Sequence, residues 1–292
     1  MIPLRINSSN IAALAGKNPY VPVAEAVLTV WKSSDRDSYI KAHERCRLET
    51  PEQRKQRIKE AYPAIDAIAR TTKPSALASS LASFSFLDDP QVTKYSTTTT
   101  PATPPITKRE IMDTARETAY TGHGIDRESV VLDRVNTVMG TYFKEDDTLW
   151  KQSIGITPSG RDVIVQGRID AKDTTTDPPV LLEIKTRARG LFMHLKEYEK
   201  IQIESYLFLT HTTTAYLAEA YFPSRHSIDP DLNIIRVVRD DESIQGWVHQ
   251  ILETVQAVEY IVSNEDAQDI FLKSKHRNTI LKHWMDAPPD AV

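Results

Sequence analysis

The spacing of apolar positions changes twice along the chain, and each change marks a switch between helix-like and strand-like sequence. Ser8, Ser9 and Asn10 can each cap a helix, and Ile11, Leu14 and Ala15 follow at helical spacing until Asn18-Pro19 breaks the pattern. A second helix is expected from Val23 to Trp31. The charged stretch from Tyr39 to Arg70 continues the helical pattern and reads as a solvated helical face. From Thr71 to Pro105 periodicity fades, and KYSTTTTPATPP has the Thr and Pro content of extended linker chain. Thr107, with Glu110 three residues later, is the sequence signature of a capping box that opens a helix to about Tyr120.

The next helix, roughly Asp126 to Tyr142, places Val131, Leu132, Val135, Val138 and Met139 on one stripe, and Glu128 falls on that stripe too. After Trp150 the period becomes two: Ile154 and Ile156, a turn at TPSG, Val163 and Val165, then Val180 to Thr186. Helical spacing returns from His194 to Leu209. Two more strands follow, Ala215 to Phe222 and Leu232 to Val238, and helices near Ile244 to Val262 and Asp266 to Trp284 close the chain. This order predicts an α/β core, its sheet meandering at first, with helical additions at both termini. The expected divisions are an N-terminal helical part (1–93), a Thr/Pro-rich linker (94–106), a core (107–240) and C-terminal helices (241–292), packed as one globular unit.

Composition narrows the function classes. At 292 residues and 40% apolar content the chain can bury a substantial core. Its 36 Lys and Arg against 40 Asp and Glu, a formal charge of −4, exclude the global basic field of a DNA-coating protein, so any nucleic-acid contact is local. The single cysteine, Cys46, excludes an internal disulfide framework and a Cys-clustered metal site. The N-terminus has no apolar signal core and no run reaches the length of a membrane span, so an intracellular, unexported protein without a membrane partner is expected. His123, His194 and His211 have no metal spacing, and Lys273, Lys275, Arg277 and Lys282 read as a solvated basic helix with DNA contact as the alternative.

The chemistry concentrates in GRIDAKDTTTDPPVLLEIKT, residues 167 to 186. Asp170 closes one strand, and Glu183 and Lys185 share a face of the next because side chains alternate with period two. Buried carboxylates need compensation, and one lysine cannot neutralise Glu128, Asp170 and Glu183 together. A divalent cation can, and hard oxygen ligands suit Mg²⁺ or Mn²⁺.

With these pieces in this order, the chain resembles the PD-(D/E)XK nuclease superfamily, and within it the lambda-exonuclease-like viral recombinases of YqaJ type. INSSNIAALAGKNPY resembles the family's N-terminal helix start with its downstream Asn-Pro-Tyr. GIDRE resembles its Gly-x-x-x-Glu helix motif, GRID and LLEIKT its two metal-binding strands, and YEKIQIESYLFLT its Gln-bearing helix. Ile169 stands where the superfamily name has proline, Asn10 where many relatives have aspartate, and Ser8 in place of the second glycine.

The resemblance implies a restriction-endonuclease-like core, a mixed central sheet flanked by helices, and a Mg²⁺-dependent exonuclease that degrades DNA from duplex ends, 5′-to-3′, in viral or phage-type recombination or replication. Asp170 and Glu183, with the backbone carbonyl of Ile184 and with Glu128, would hold one or two Mg²⁺ ions. Lys185 would orient or deprotonate the attacking water, Gln202 would position the lysine or the substrate, and Arg5 and Ser9 would meet a phosphate at the entrance. Arg187 and Arg189 are further phosphate candidates. A single-strand annealing protein and a ring-forming homo-oligomer are the implied partners beside duplex ends. The rival readings are a structure-specific endonuclease on the same strands and a nucleic-acid-binding protein that has lost catalysis.

Overall fold

The structure, a computed structural model, describes residues 2–72, 77, 105–125, 127–224 and 227–286. Asp126 of the GIDRE motif and most of the Thr/Pro segment lie outside the described residues. A six-stranded mixed sheet organises the rest, so the α/β core is the one the pattern predicted, and its mixed sheet flanked by helices is the one the resemblance implied. The strands are β1 (Leu4–Asn7), β2 (Lys144–Ile156), β3 (Asp162–Asp173), β4 (Val180–Arg187), β5 (Thr214–Tyr221) and β6 (Asp231–Val238).

The long strand β3 sets the layout. β2 runs antiparallel along one of its edges, from Ile156 opposite Asp162 to Lys144 opposite Lys172. The other edge is shared: parallel β1 pairs with Val163 to Gln166, and antiparallel β4 pairs only with Ala171 to Asp173. β4 then continues beside parallel β5, and β6 closes the edge antiparallel to β5. The β3–β4 ladder ends at Ala171 opposite Leu182, so Asp170 and Glu183 face the point where the two strands separate.

The helices are α1 (Ser8–Leu14), α2 (Val23–Ser34), α3 (Arg36–Cys46), α4 (Pro51–Ala61), α5 (Ala64–Thr71), α6 (Lys108–Ile125), α7 (Glu128–Met139), α8 (Glu197–Thr210), α9 (Asp241–Ser263), α10 (Glu265–Lys273) and α11 (Arg277–Asp286). The larger core joins one face of the sheet to α1, α2, α8 and α9, through residues such as Leu4, Val165, Leu207, Leu217 and Ile251. The opposite face packs Leu182, Ile184, Ala218 and Ala220 against Val131, Leu132 and Val135 of α7. A third cluster joins α4, α5 and α6 through Ile58, Ile65 and Ile111.

Several elements differ from the pattern. Residues 4–7 are a sheet strand with alternating burial, although four residues are too few to show a period; the N-terminal part is therefore not wholly helical. The helix expected from the Ser8–Asn10 caps begins at Ser8 itself, with Asn7 as N-cap and no side-chain capping bond. The stretch from Tyr39 to Arg70 is three helices, because Arg47 adopts a left-handed conformation (φ 56°), Thr50 and Gln53 form a capping box ahead of Pro51, and Pro63 starts α5. The last expected helix is two, α10 and α11, and β2 begins at Lys144, before Trp150. The Thr107–Glu110 capping box forms as read: the Thr107 N–H donates to Glu110 Oε2 at 2.8 Å and the Glu110 N–H to Thr107 Oγ1 at 3.3 Å.

Candidate active site

Where β3 and β4 part, a cavity of about 290 Å³ is lined by Glu128, Asp170, Glu183, Ile184, Lys185, Thr186, Gln202 and Tyr206, with Tyr120 and Thr121 of α6. Five residues that the sequence nominated for catalysis thus meet at one place, although they come from α7, β3, β4 and α8. Asp170 Oδ2 accepts the Ile184 N–H at 2.7 Å, a backbone group that pairing with β3 would otherwise have taken. Glu183 Oε1 accepts from Lys185 Nζ and, at 3.0 Å, from Gln202 Nε2. Gln202 Nε2 also donates to the Tyr206 hydroxyl at 2.8 Å. Gln202 thus bridges Tyr206 and the Glu183 oxygen that also accepts from Lys185.

Gly167 makes this assembly possible. A Cβ there would stand 2.4 Å from Ser8 Oγ and 2.9 Å from Tyr206 Cε1, so only glycine lets α1 and α8 close onto β3. The buried Ser8 hydroxyl donates to the Gln166 carbonyl at 3.2 Å at the same crossing.

The electrostatics are those of a site short of positive charge. Burial, reinforced by the neighbouring Asp170 charge, pushes the Glu183 carboxyl up to about 8. Burial also pushes Asp170 up to about 6, against the opposing pull of the Ile184 N–H and Lys185. Glu128 is raised by burial and shares a side-chain hydrogen bond with Asp170. Burial alone would lower Lys185, but the adjacent Glu183 charge outweighs it and holds the ammonium protonated. Lys185 is thus a donor and a fixed charge.

The donor set fits a hard divalent cation. Three carboxylates share the cavity, and Glu183 Oε2 is buried without a hydrogen-bond partner. As the side chains stand, no three His, Cys, Asp or Glu among the described residues are grouped so that they could hold a metal ion; Asp170 Oδ2 and Glu183 Oε1 accept from protein donors instead.

The four residues nominated for DNA contact do not line this cavity. Arg5 on β1 and Ser9 on α1 are exposed, beside the half of β3 that precedes Gly167. Arg189 is exposed in the segment after β4. Arg187 differs from its expected role at a phosphate: its side chain is 11% exposed and committed to two buried carboxylates. It donates from Nη1 and Nη2 to Glu199 at 2.7 and 3.0 Å, and from Nε to Glu219 at 2.9 Å. Burial works against ionisation of Glu219, but the Asn233 amide and Arg187 prevail and hold its carboxyl low.

Glu199, Glu219 and Asn233 were missed, yet part of the signal was visible. Glu219 interrupts the apolar strand TAYLAEAY as Glu183 interrupts VLLEIKTR, and the register aligns Lys185, Glu219 and Asn233 across three neighbouring strands. Tyr206 sits one turn beyond Gln202 on the same face of α8.

No family model matches the chain, and no curated protein does. Among solved structures the chain is similar to an alkaline exonuclease (LHK-Exo) from Laribacter hongkongensis: 13% identity, 71% of this chain and 93% of that chain covered, TM-score 0.40. The same enzyme in complex with dAMP aligns at 14% identity over 69% and 94%, with a TM-score of 0.39. A phage-related exonuclease from Haemophilus somnus aligns at 13% over 52% and 72%, with a TM-score of 0.34.

Proposed function

We propose that this chain is a divalent-metal-dependent deoxyribonuclease that hydrolyses phosphodiester bonds, working as an exonuclease on duplex ends. The observation that carries the reading is the meeting of Asp170, Glu183 and Lys185 where β3 and β4 separate, with one buried Glu183 oxygen left unpaired. Asp170 and Glu183 would hold the cation, with Glu128 and the Ile184 carbonyl as further ligands. A bound Mg²⁺ or Mn²⁺ would supply acidification of water and neutralisation of charge on the phosphate.

The chain's own residues supply the rest. Lys185, held charged against Glu183, orients water and steadies the negative charge that develops on the phosphoryl oxygens. Gln202, bridging Tyr206 and Glu183, keeps the carboxylate from rotating. Arg5, Ser9 and Arg189 are candidates for the more distant phosphates. A 5′-to-3′ direction, a role in viral or phage-type recombination inside the cell, a ring-shaped oligomer and a strand-annealing partner complete the proposal. No helix among the described residues is long and apolar enough to cross a membrane.

The test compares linear with covalently closed circular duplex DNA in Mg²⁺. Digestion of the linear form alone is expected, and Asp170→Ala, Glu183→Ala and Lys185→Ala should each lower the rate by at least about a hundredfold while the proteins stay folded. Cutting of the closed circle would favour an endonuclease, and tight binding without cleavage would favour a protein that only binds. Linear duplexes labelled at one end or the other report the direction.

A further inference from the structure

Past Arg187, the chain between β4 and α8 packs on Glu219, the register neighbour of the cavity residue Lys185, and exposes apolar side chains: Phe192 is 38% exposed and Met193 66%. Arg187 lies two residues beyond Lys185 on the same strand face, about 7 Å along β4, and its guanidinium carbon stands 4.2 Å from the Phe192 ring centroid. The segment is held from beneath. Glu219 Oε2 accepts the Met193 N–H at 3.0 Å and the Asn233 amide at 2.8 Å, while Glu219 Oε1 takes Arg187.

Met193 has φ 61°, a left-handed conformation unfavourable for a non-glycine residue. A buried carboxylate thus holds a long apolar side chain outward in a backbone conformation it would otherwise leave. Cations flank it in the chain: Arg189 is exposed, and Lys196 Nζ lies 4.8 Å from the Phe192 centroid. Apolar surface bordered by Arg and Lys beside a phosphate-cleaving site matches a nucleotide, whose base is apolar on its faces and whose backbone is anionic.

We infer that Met193, supported by Phe192, is a base-contact site for an unpaired nucleotide at the mouth of the cavity. This rests on the nuclease reading of that cavity and adds a second recognition element, for the base, to its phosphate chemistry. Thioether and aromatic contacts of this size amount to a factor of about three to ten in affinity.

The test pairs a protein change with a substrate change, read by fluorescence anisotropy in EDTA. The probes are short labelled single-stranded DNAs carrying either a normal or an abasic nucleotide at the terminus. Wild-type protein should bind the abasic strand about threefold to tenfold more weakly. Met193→Gly and Met193→Asn, both compatible with a left-handed backbone, should shrink that penalty below about twofold, and Met193→Leu should retain it. An abasic penalty of unchanged size in Met193→Gly, or none in the wild type, overturns the inference. Failure of the nuclease reading looks different: bound DNA that Mg²⁺ and Mn²⁺ leave intact. A chain that binds no oligonucleotide sinks both.

Discussion

Replacing Gly167 with alanine tests the packing that brings the site together. The new Cβ would lie 2.4 Å from Ser8 Oγ, 3.0 Å from Ser8 Cβ and 2.9 Å from Tyr206 Cε1. Neither neighbour can swing away easily: Ser8 is 2% exposed and Tyr206 6%, and both make hydrogen bonds where they stand. Overpacking of this kind costs about 1–3 kcal/mol, and the preference of a strand for alanine over glycine offsets about 0.5–1 kcal/mol of it. A net loss of roughly 1–2 kcal/mol is therefore expected. Urea denaturation followed by circular dichroism measures it, as a lower midpoint with an unchanged slope. Ser8→Gly removes two of the three clashes, so Gly167→Ala should cost less than half as much in that background. Because Tyr206 bonds Gln202 and Gln202 bonds Glu183, the alanine variant should also lose DNA digestion under conditions where it is fully folded. A neutral Gly167→Ala, or an equal cost in both backgrounds, would refute the crowding.

Arg187→Ala leaves Glu199 and Glu219 buried without their guanidinium and should cost about 3–5 kcal/mol in the same urea assay; a loss under about 1 kcal/mol would mean that the pair is solvated. The pH dependence of the metal-free protein follows from the raised carboxyls, Asp170 to about 6 and Glu183 to about 8. The folded protein keeps protons that the unfolded chain releases near the ordinary carboxylate range, so this contribution is full below that range and is lost as pH rises from there to about 6 for Asp170 and about 8 for Glu183. Melting temperature in EDTA should fall across that window, Glu183→Gln should flatten its upper part, and Mg²⁺ or Mn²⁺ should bind more tightly at higher pH with release of protons. A melting temperature in EDTA that is level across the window in the wild type, or equally steep in Glu183→Gln, contradicts this.

The alternating pattern and its punctuation were enough to read the order of most elements, because apolar residues must face a core wherever a strand or helix lies on one. The Thr107–Glu110 box and the strand pair around GRID and LLEIKT are local signals, complete within 4 and 20 residues of chain, and the chain folds there as they indicate. The acids themselves were legible for the same reason: Asp170 and Glu183 break apolar runs, and a buried charge marks itself in the pattern. β1 was not legible, since four residues show no period and only the edge of β3 makes them a strand.

Arg187 shows the other limit. Two positions past Lys185 it looked like a second cation for phosphate, and local sequence carries nothing that says otherwise. Its partners arrive from α8 and β5, 12 and 32 residues away, and only their burial around it turns the arginine inward. The separation of β3 from β4 after a three-residue ladder, the space that Gly167 leaves for Ser8 and Tyr206, and the outward hold on Met193 are likewise decided by tertiary packing. Sequence alone determined which residue types this protein has for chemistry and which strands carry them. The tertiary structure decided which of those charges face a cavity and which neutralise one another, because burial and long-range partners have no periodic trace along the chain.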